Sequence, residues 1–153
     1  MLIVCGATGA MVEDESPGGF PSGYPAADYD ARLTGIAREA IAIIVAVDGF
    51  YVRHRRCPRP MIPGEFAELR AGLAAGLAPT PHGRSVEIRS PGVVTGWLYY
   101  VFDDPGSCTL SRKLGWDPDL VWSRNPDGAQ WSFVPGDGGN AKTIRLDPTP
   151  RTR

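Results

Sequence analysis

Between residues 29 and 56, apolar residues recur every three or four positions, which is the period of an α-helix. The stripe consists of Leu33, Ile36, Ala37, Ala40, Ile44, Val47, Tyr51 and His54. Asp28 or Asp30 is suited to cap the helix N-terminus, and Pro58 and Pro60 prevent its continuation. We therefore predict one long N-terminal helix over residues 29–56.

A second apolar stripe begins near Pro63, a residue type that is favoured in the first turn of a helix. It comprises Phe66, Leu69, Leu73 and Leu77. Pro79 and Pro81 follow and are expected to stop the helix. The pattern predicts a short second helix.

From Ser85 onward the hydrophobic period changes to two, which is typical of strands with one buried face. Val86 and Ile88 alternate with polar neighbours, and residues 93–102 are apolar on both faces, as in a central strand. Further strands are predicted at 108–114, 120–122, 131–134 and 143–146, with a hairpin loop at 125–128. The whole pattern predicts an α+β fold, with a long N-terminal helix plus a short second helix packed on a C-terminal antiparallel β-meander.

The chain length of 153 residues fits a single domain. Residues 1–27 are rich in Pro, Gly and acidic side chains and are predicted to form a flexible arm. The domain itself is predicted at 28–148, with a disordered tail at 149–153. The most apolar run, residues 41–47, is too short to span a membrane, so we expect a soluble protein. The apolar residues 1–7 are either the remnant of an export signal or a cytoplasmic start.

Composition excludes some partners. The net charge is −1, so the chain has no global basic field to hold nucleic acid, and we expect none to bind. Gly6 and Gly9 resemble the start of a dinucleotide-binding turn, but Val12 stands where that turn needs a third glycine. We predict no cofactor and expect the partner to be a protein.

Cys57 and Cys108 are the clearest candidate pair. Cys57 follows the first predicted helix and Cys108 opens a predicted strand, so the two thiols can meet if the helix packs on the sheet. A disulfide indicates an oxidising compartment, whereas two free thiols indicate the cytoplasm. We favour the disulfide, and with it a periplasmic or extracellular location.

Two further groups are candidate ligand sites. Arg53, Arg55, Arg56 and Arg59 cluster around the end of the first helix. They can bind an anion, or they can simply be the solvated end of a helix. Asp137 and Asn140 carry oxygen atoms suited to calcium, although a Gly-rich turn uses the same residue types for its backbone. We assign no metal site beyond this weak calcium candidate.

A helix that ends in Tyr51 and Arg56-Cys57-Pro58, followed by a meander with a second cysteine, resembles the globular part of type IV pilin-like proteins, including pseudopilins. The resemblance concerns topology over residues 29–147 and implies a helix packed on a small antiparallel sheet, with assembly through helices. Residues 11–27 replace that family's apolar half-helix. The resemblance implies no role for any particular residue.

Function is therefore predicted only by class. The sequence contains no recognisable catalytic constellation, and the cysteine pair and aromatic sheet favour a non-enzymatic structural or protein-interaction module. The alternative is a cytoplasmic protein that binds a small anionic molecule at the arginine cluster, or an enzyme of unrecognised type.

Overall fold

The computed structural model describes residues 29–90, 95–114, 118–135 and 141–146. These residues form three helices followed by seven strands, which confirms the α+β class. The helices are α1 (Tyr29–Arg38), α2 (Ile41–His54) and α3 (Pro63–Gly72). The strands are β1 (Ala78–His82), β2 (Ser85–Arg89), β3 (Trp97–Val101), β4 (Cys108–Lys113), β5 (Asp119–Asn125), β6 (Gly128–Val134) and β7 (Lys142–Ile144).

The prediction of one long helix over 29–56 is wrong, because the structure divides this segment into α1 and α2. The N–H groups of Glu39 and Ala40 donate to the carbonyls three residues earlier, those of Ile36 and Ala37, at 3.0 Å each. Such bonds tighten the last turn and end the α-helix. The apolar stripe runs through the break without a proline or glycine at residues 39 and 40, so its period did not reveal the turn.

All seven strands form one antiparallel sheet in the order β1-β2-β3-β4-β5-β6-β7, which is a meander. The predicted hairpin loop is confirmed between β5 and β6, where Asn125 pairs with Gly128. The Asn125 side chain accepts a hydrogen bond from the Asp127 N–H at 2.8 Å. Gly128 adopts a φ of 140°, which only glycine adopts without strain.

The sequence pattern does not predict strand β1, because Pro79 and Pro81 are typical of residues that stop a helix. Both lie in β1, an edge strand whose single partner is β2. Prolines two residues apart direct their nitrogen atoms to the same side of a strand, so both can face away from the ladder. Proline at an edge also discourages pairing with further strands.

Residues of the helices and of one sheet face share a single core cluster. One row across this inner face contains Val86, Tyr99, Leu110, Trp122, Trp131 and Ile144. The helices contribute Leu33, Ala37, Ile43, Val47 and Leu69, each 0–1% exposed. Helices α2 and α3 approach closely, since a Cβ on Gly72 would lie 3.1 Å from that of Ala46.

The other face of the sheet, called here the outer face, carries the alternate residues of each strand. One row contains Glu87, Leu98, Ser111, Val121, Ser132 and Thr143. Leu98 and Phe102 are each 43% exposed on this side. Among the described residues, no helix has the length and apolar character needed to cross a membrane.

Candidate functional site

The segment that follows α2 is joined to the β3–β4 end of the sheet, as the cysteine pattern predicted. The sulfur atoms of Cys57 and Cys108 lie at disulfide distance, and their Cα atoms are 6.2 Å apart, which is within the usual range. Both residues are fully buried. The Cys57 N–H donates to the Pro105 carbonyl at 2.6 Å. Helix α2 ends with Arg55 as its C-cap, whose φ of 61° is left-handed.

Tyr99 adds a second link to this segment. Its hydroxyl donates to the Pro58 carbonyl at 2.5 Å from a fully buried position on β3. Burial, together with the negative charge of Glu65, raises the pKa of Tyr99. The phenol therefore stays protonated and remains a hydrogen-bond donor across the physiological pH range.

Two of the four arginines that were predicted to bind an anion, Arg56 and Arg59, pair with a carboxylate of the same chain. Arg56 Nη2 lies 2.5 Å and Arg59 Nη2 lies 2.8 Å from Glu65 Oε2. The Arg59 backbone N–H also donates to the other carboxylate oxygen at 2.9 Å. Burial alone would raise the pKa of Glu65, but hydrogen bonds from Arg59 and the charges of Arg56 and Arg59 lower it overall.

The remaining two arginines lie closer to solvent. Arg53 pairs with Glu68 at 2.6 Å, and His54 lies 3.0 Å from the same carboxylate. The hydrogen bond from Arg53, aided by His54, lowers the pKa of Glu68. Arg55 is exposed at the turn. Three of the four arginines thus pair with two internal carboxylates, and the role of the cluster in binding an external anion stays a prediction.

A cavity of about 310 Å³ lies at the opposite end of α2, beside the first residue of β3. Arg112 and Glu39 form an ion pair at its rim. The guanidinium of Arg112 lies 5.9 Å from the ring centre of Trp97, within the range of a cation–π contact. Within the described structure, Trp97 Nε1 and Arg112 Nε are buried and have no hydrogen-bond partner.

A second sheet arginine makes an equivalent bridge near the middle of α2. Arg124 Nη1 lies 3.0 Å from Asp48 Oδ1, and its guanidinium lies 4.2 Å from the ring centre of Tyr51. Burial, opposed by the charge of Arg124, raises the pKa of Asp48. The Nε of Arg124 is also buried without a partner in the described structure, but Arg124, unlike Arg112, does not line the cavity.

Sequence reasoning missed these two bridges, although the strand period contained the signal. Arg112 continues the alternation of Cys108 and Leu110, which places it on the inner face of β4. Arg124 likewise continues the alternation of Leu120 and Trp122 on β5. An arginine in a buried row indicates a partner on the opposite layer, since an isolated buried charge is strongly unfavourable.

The outer face carries a groove of about 600 Å³ along the start of β3. Leu98 and Ser111 lie in its lining, together with the charged residues Glu87, Lys113 and Asp119. Farther along the same face, Tyr100 and Phe102 form an edge-to-face ring contact with centres 5.1 Å apart. The groove and these aromatic residues lie on the same side of the sheet.

Several sequence predictions lie outside the described residues: the arm at 1–27, the tail at 149–153, the turn with Gly6, Gly9 and Val12, and the calcium candidates Asp137 and Asn140. In the part of the chain that the structure describes, no three residues among His, Cys, Asp and Glu are grouped so as to hold a metal ion.

Comparisons with family models, curated proteins and solved structures find no match to this chain. The resemblance to type IV pilin-like proteins therefore remains a prediction from the order of elements, and the site has to be interpreted from its own chemistry.

Proposed function

We propose that the protein is a non-enzymatic interaction module that binds a partner protein through the outer face of its sheet. The observation that carries the proposal is the exposed apolar strip on the β3 side of that face. Leu98 and Phe102 are each 43% exposed, and Tyr100 lies between them. Large apolar side chains that share one exposed patch are typical of protein-binding surfaces.

The chemistry of the adjoining groove indicates what kind of segment would bind. Its charged lining residues are Glu87 and Asp119, which are acidic, and Lys113, which is basic. Glu87 pairs with Arg89 at 2.6 Å and Asp119 pairs with Lys113 at 3.3 Å, so the charges along the groove balance. A partner segment that places an apolar side chain on Leu98 and uncharged polar side chains along the two ion pairs would be complementary to this surface.

The cysteine pair supports a location for such a module. Cys57 and Cys108 are positioned for a disulfide, and disulfides persist in oxidising compartments. We therefore propose that the module works in the periplasm or outside the cell.

Quantitative capture from an extract of the native source would test the interaction. The double variant Leu98→Asp plus Phe102→Asp places two charges on the outer face and should abolish capture of any specific partner. The matched control is Val45→Asp plus Val52→Asp, which places two charges on α2, where these valines are 62% and 69% exposed. Far-UV circular dichroism would verify that both variants remain folded.

The proposal requires loss of the partner with the sheet variant and retention with the helix variant. Hydrogen exchange of the wild-type complex should then show protection across residues 97–102. Equal capture by both variants, or loss with the helix variant alone, would refute binding through the outer face.

A further inference from the structure

We propose that the cavity between the α1–α2 turn and the start of β3 binds a small organic carboxylate. It lies on the inner side of the sheet and is independent of the outer-face interaction proposed above. Its volume of about 310 Å³ lies at the lower end of the range for ligand pockets, roughly 300–1,000 Å³. This size fits a small molecule.

The apolar part of the wall defines one half of the ligand. Ile43 from α2, Leu77 from the segment before β1 and Ile88 from β2 contribute aliphatic surface. Ile43 and Ile88 are each 1% exposed, and Leu77 is half-buried. A hydrocarbon group placed against them would leave water, which is favourable.

The polar part of the wall defines the other half. Trp97 is 4% exposed. In the described structure, neither the Trp97 Nε1–H nor the Arg112 Nε–H has a hydrogen-bond acceptor. A buried donor without an acceptor costs roughly 1–3 kcal/mol. The guanidinium of Arg112 lies 5.9 Å from the ring centre of Trp97, so the two donors belong to neighbouring side chains, and in the proposed complex one carboxylate supplies an oxygen to each. An acceptor oxygen supplied by a ligand would remove this penalty.

The charges around the cavity form two ion pairs. Arg89 and Arg112 are cationic, whereas Glu39 is the one anionic lining residue in the described part of the chain. Arg89 Nη2 is 2.6 Å from Glu87 Oε2, and this pair is exposed to solvent. The two arginines are therefore balanced by Glu39 and Glu87, and a ligand carboxylate would replace Glu39 as the counter-ion of Arg112.

The ion pair at the rim controls access. Trp97 Nε1 and Arg112 Nε each expose less than 1 Å², so a lining side chain has to move before a ligand reaches them, and in the proposed binding step Arg112 turns away from Glu39. The Glu39 side chain is 53% exposed and that of Arg112 is 19% exposed. Glu39 can therefore return to water at small cost, and the ligand carboxylate takes its place on the arginine.

Titration of the ¹⁵N-labelled full chain with hexanoate tests the proposal. The sequence has four tryptophans, so the indole N–H of Trp97 can be assigned by its loss in Trp97→Phe. Hexanoate should shift this signal downfield and saturate with a dissociation constant of about 1 mM or below. Acetate lacks the hydrocarbon chain and hexanamide lacks the charge, so neither should produce a saturable shift below about 10 mM.

Matched variants separate binding from general effects on the fold. Arg112→Gln should weaken hexanoate binding about tenfold or more. Arg124→Gln, which removes the equivalent bridge outside the cavity, should leave binding unchanged. Glu39→Gln removes the competing carboxylate and should tighten binding about two- to fivefold. If Arg112→Gln does not fold, Glu39→Gln and the hexanamide comparison still decide the matter.

The proposal is overturned if hexanoate leaves the Trp97 signal unmoved, or if hexanamide binds as well as hexanoate. It is equally overturned if Arg124→Gln weakens binding as much as Arg112→Gln, or if Glu39→Gln weakens binding. The expected pattern, by contrast, requires a ligand carboxylate at Arg112 and Trp97.

Discussion

The two ends of α2 are joined to the sheet by different chemistry. After its C-terminal end, the chain is held by the pairing of Cys57 with Cys108 and by the Tyr99 hydroxyl on the Pro58 carbonyl. Before its N-terminal end, the connection is a partly exposed ion pair between Glu39 and Arg112. The first set of contacts is buried, whereas the second lies at the rim of a cavity.

The two ends of α2 differ in where their hydrogen-bond donors find acceptors. At the C-terminal end, a single carboxylate, that of Glu65, accepts from Arg56 and Arg59, so the acceptors come from the chain itself. At the N-terminal end, two buried N–H groups, those of Trp97 and Arg112, find none among the described residues. At the C-terminal end the donors are therefore satisfied within the chain, whereas the N-terminal end keeps the two donors that the proposed ligand would bind.

Reduction of the Cys57–Cys108 pair should cause the largest loss of stability, and it should act only on the connection at the C-terminal end of α2. The two residues are 51 positions apart, and a link closing such a loop stabilises by about 4 kcal/mol in the chain-entropy model. The free energy of unfolding in urea should fall by about this amount when a reductant is added.

The double variant Cys57→Ala plus Cys108→Ala supplies the control, since its stability should not respond to reductant. Intact-mass analysis of alkylated protein from the native source would report whether the pair is oxidised there. Two freely alkylated thiols in that sample would contradict the proposed oxidising compartment.

Glu65→Gln should cause the second-largest loss in the free energy of unfolding. Glu65 is 9% exposed and lies between two guanidinium groups, and its neutralisation leaves those charges without a counter-ion. We expect a loss of about 2–3 kcal/mol in the free energy of unfolding at neutral pH. Glu68→Gln is the matched control and should cost much less, because the Glu68 side chain is 32% exposed and solvent screens its pairs.

The same variant has a defined pH dependence. The pKa of Glu65 is lowered in the folded state from its ordinary value of 4.5. The stabilisation is therefore fully present above 4.5 and is lost as the pH falls through the folded-state pKa. Urea titrations should show the gap between wild type and Glu65→Gln narrowing in acid. A gap that stays constant would mean that the carboxylate charge is not the cause.

Local sequence patterns predicted the contacts at the C-terminal end of α2 better than those at its N-terminal end. The cysteine pair was found because each residue lies at the end of a strongly patterned element. The alternation of β4 places Arg112 on the inner face, but its pairing with Glu39 depends on the register of β4 and on the turn at residues 39–40, which no local period encodes. The arginine cluster was visible in sequence, but the pairing of Arg56 and Arg59 with Glu65 was not, because Glu65 comes from α3.

Gly96→Ala should destabilise the sheet beside the cavity by a smaller amount. A Cβ at this position would lie 2.6 Å from Arg89 Cγ and 2.7 Å from the Ile88 carbonyl oxygen. The backbone contact cannot relax freely, so we expect a loss of about 1–2 kcal/mol. Gly35→Ala in α1 is the control: its Cβ would have no neighbour within 4 Å, and it should stabilise by about 0.5–1 kcal/mol. Equal effects from both would contradict a close approach of β2 and β3.

Asp48→Asn should have the smallest effect and the opposite pH dependence to Glu65→Gln. The Asp48 side chain is 39% exposed and its partner Arg124 is 22% exposed, so removal of the pair should change the free energy of unfolding by within about 1 kcal/mol at neutral pH. Burial raises the pKa of Asp48 above 3.8 in the folded state, so its ionisation opposes folding. Wild type should therefore gain stability relative to Asp48→Asn as the pH falls toward 3.8, in the same titrations in which it loses stability relative to Glu65→Gln. If both differences moved in the same direction, the two carboxylates would not occupy the different environments that the structure gives them.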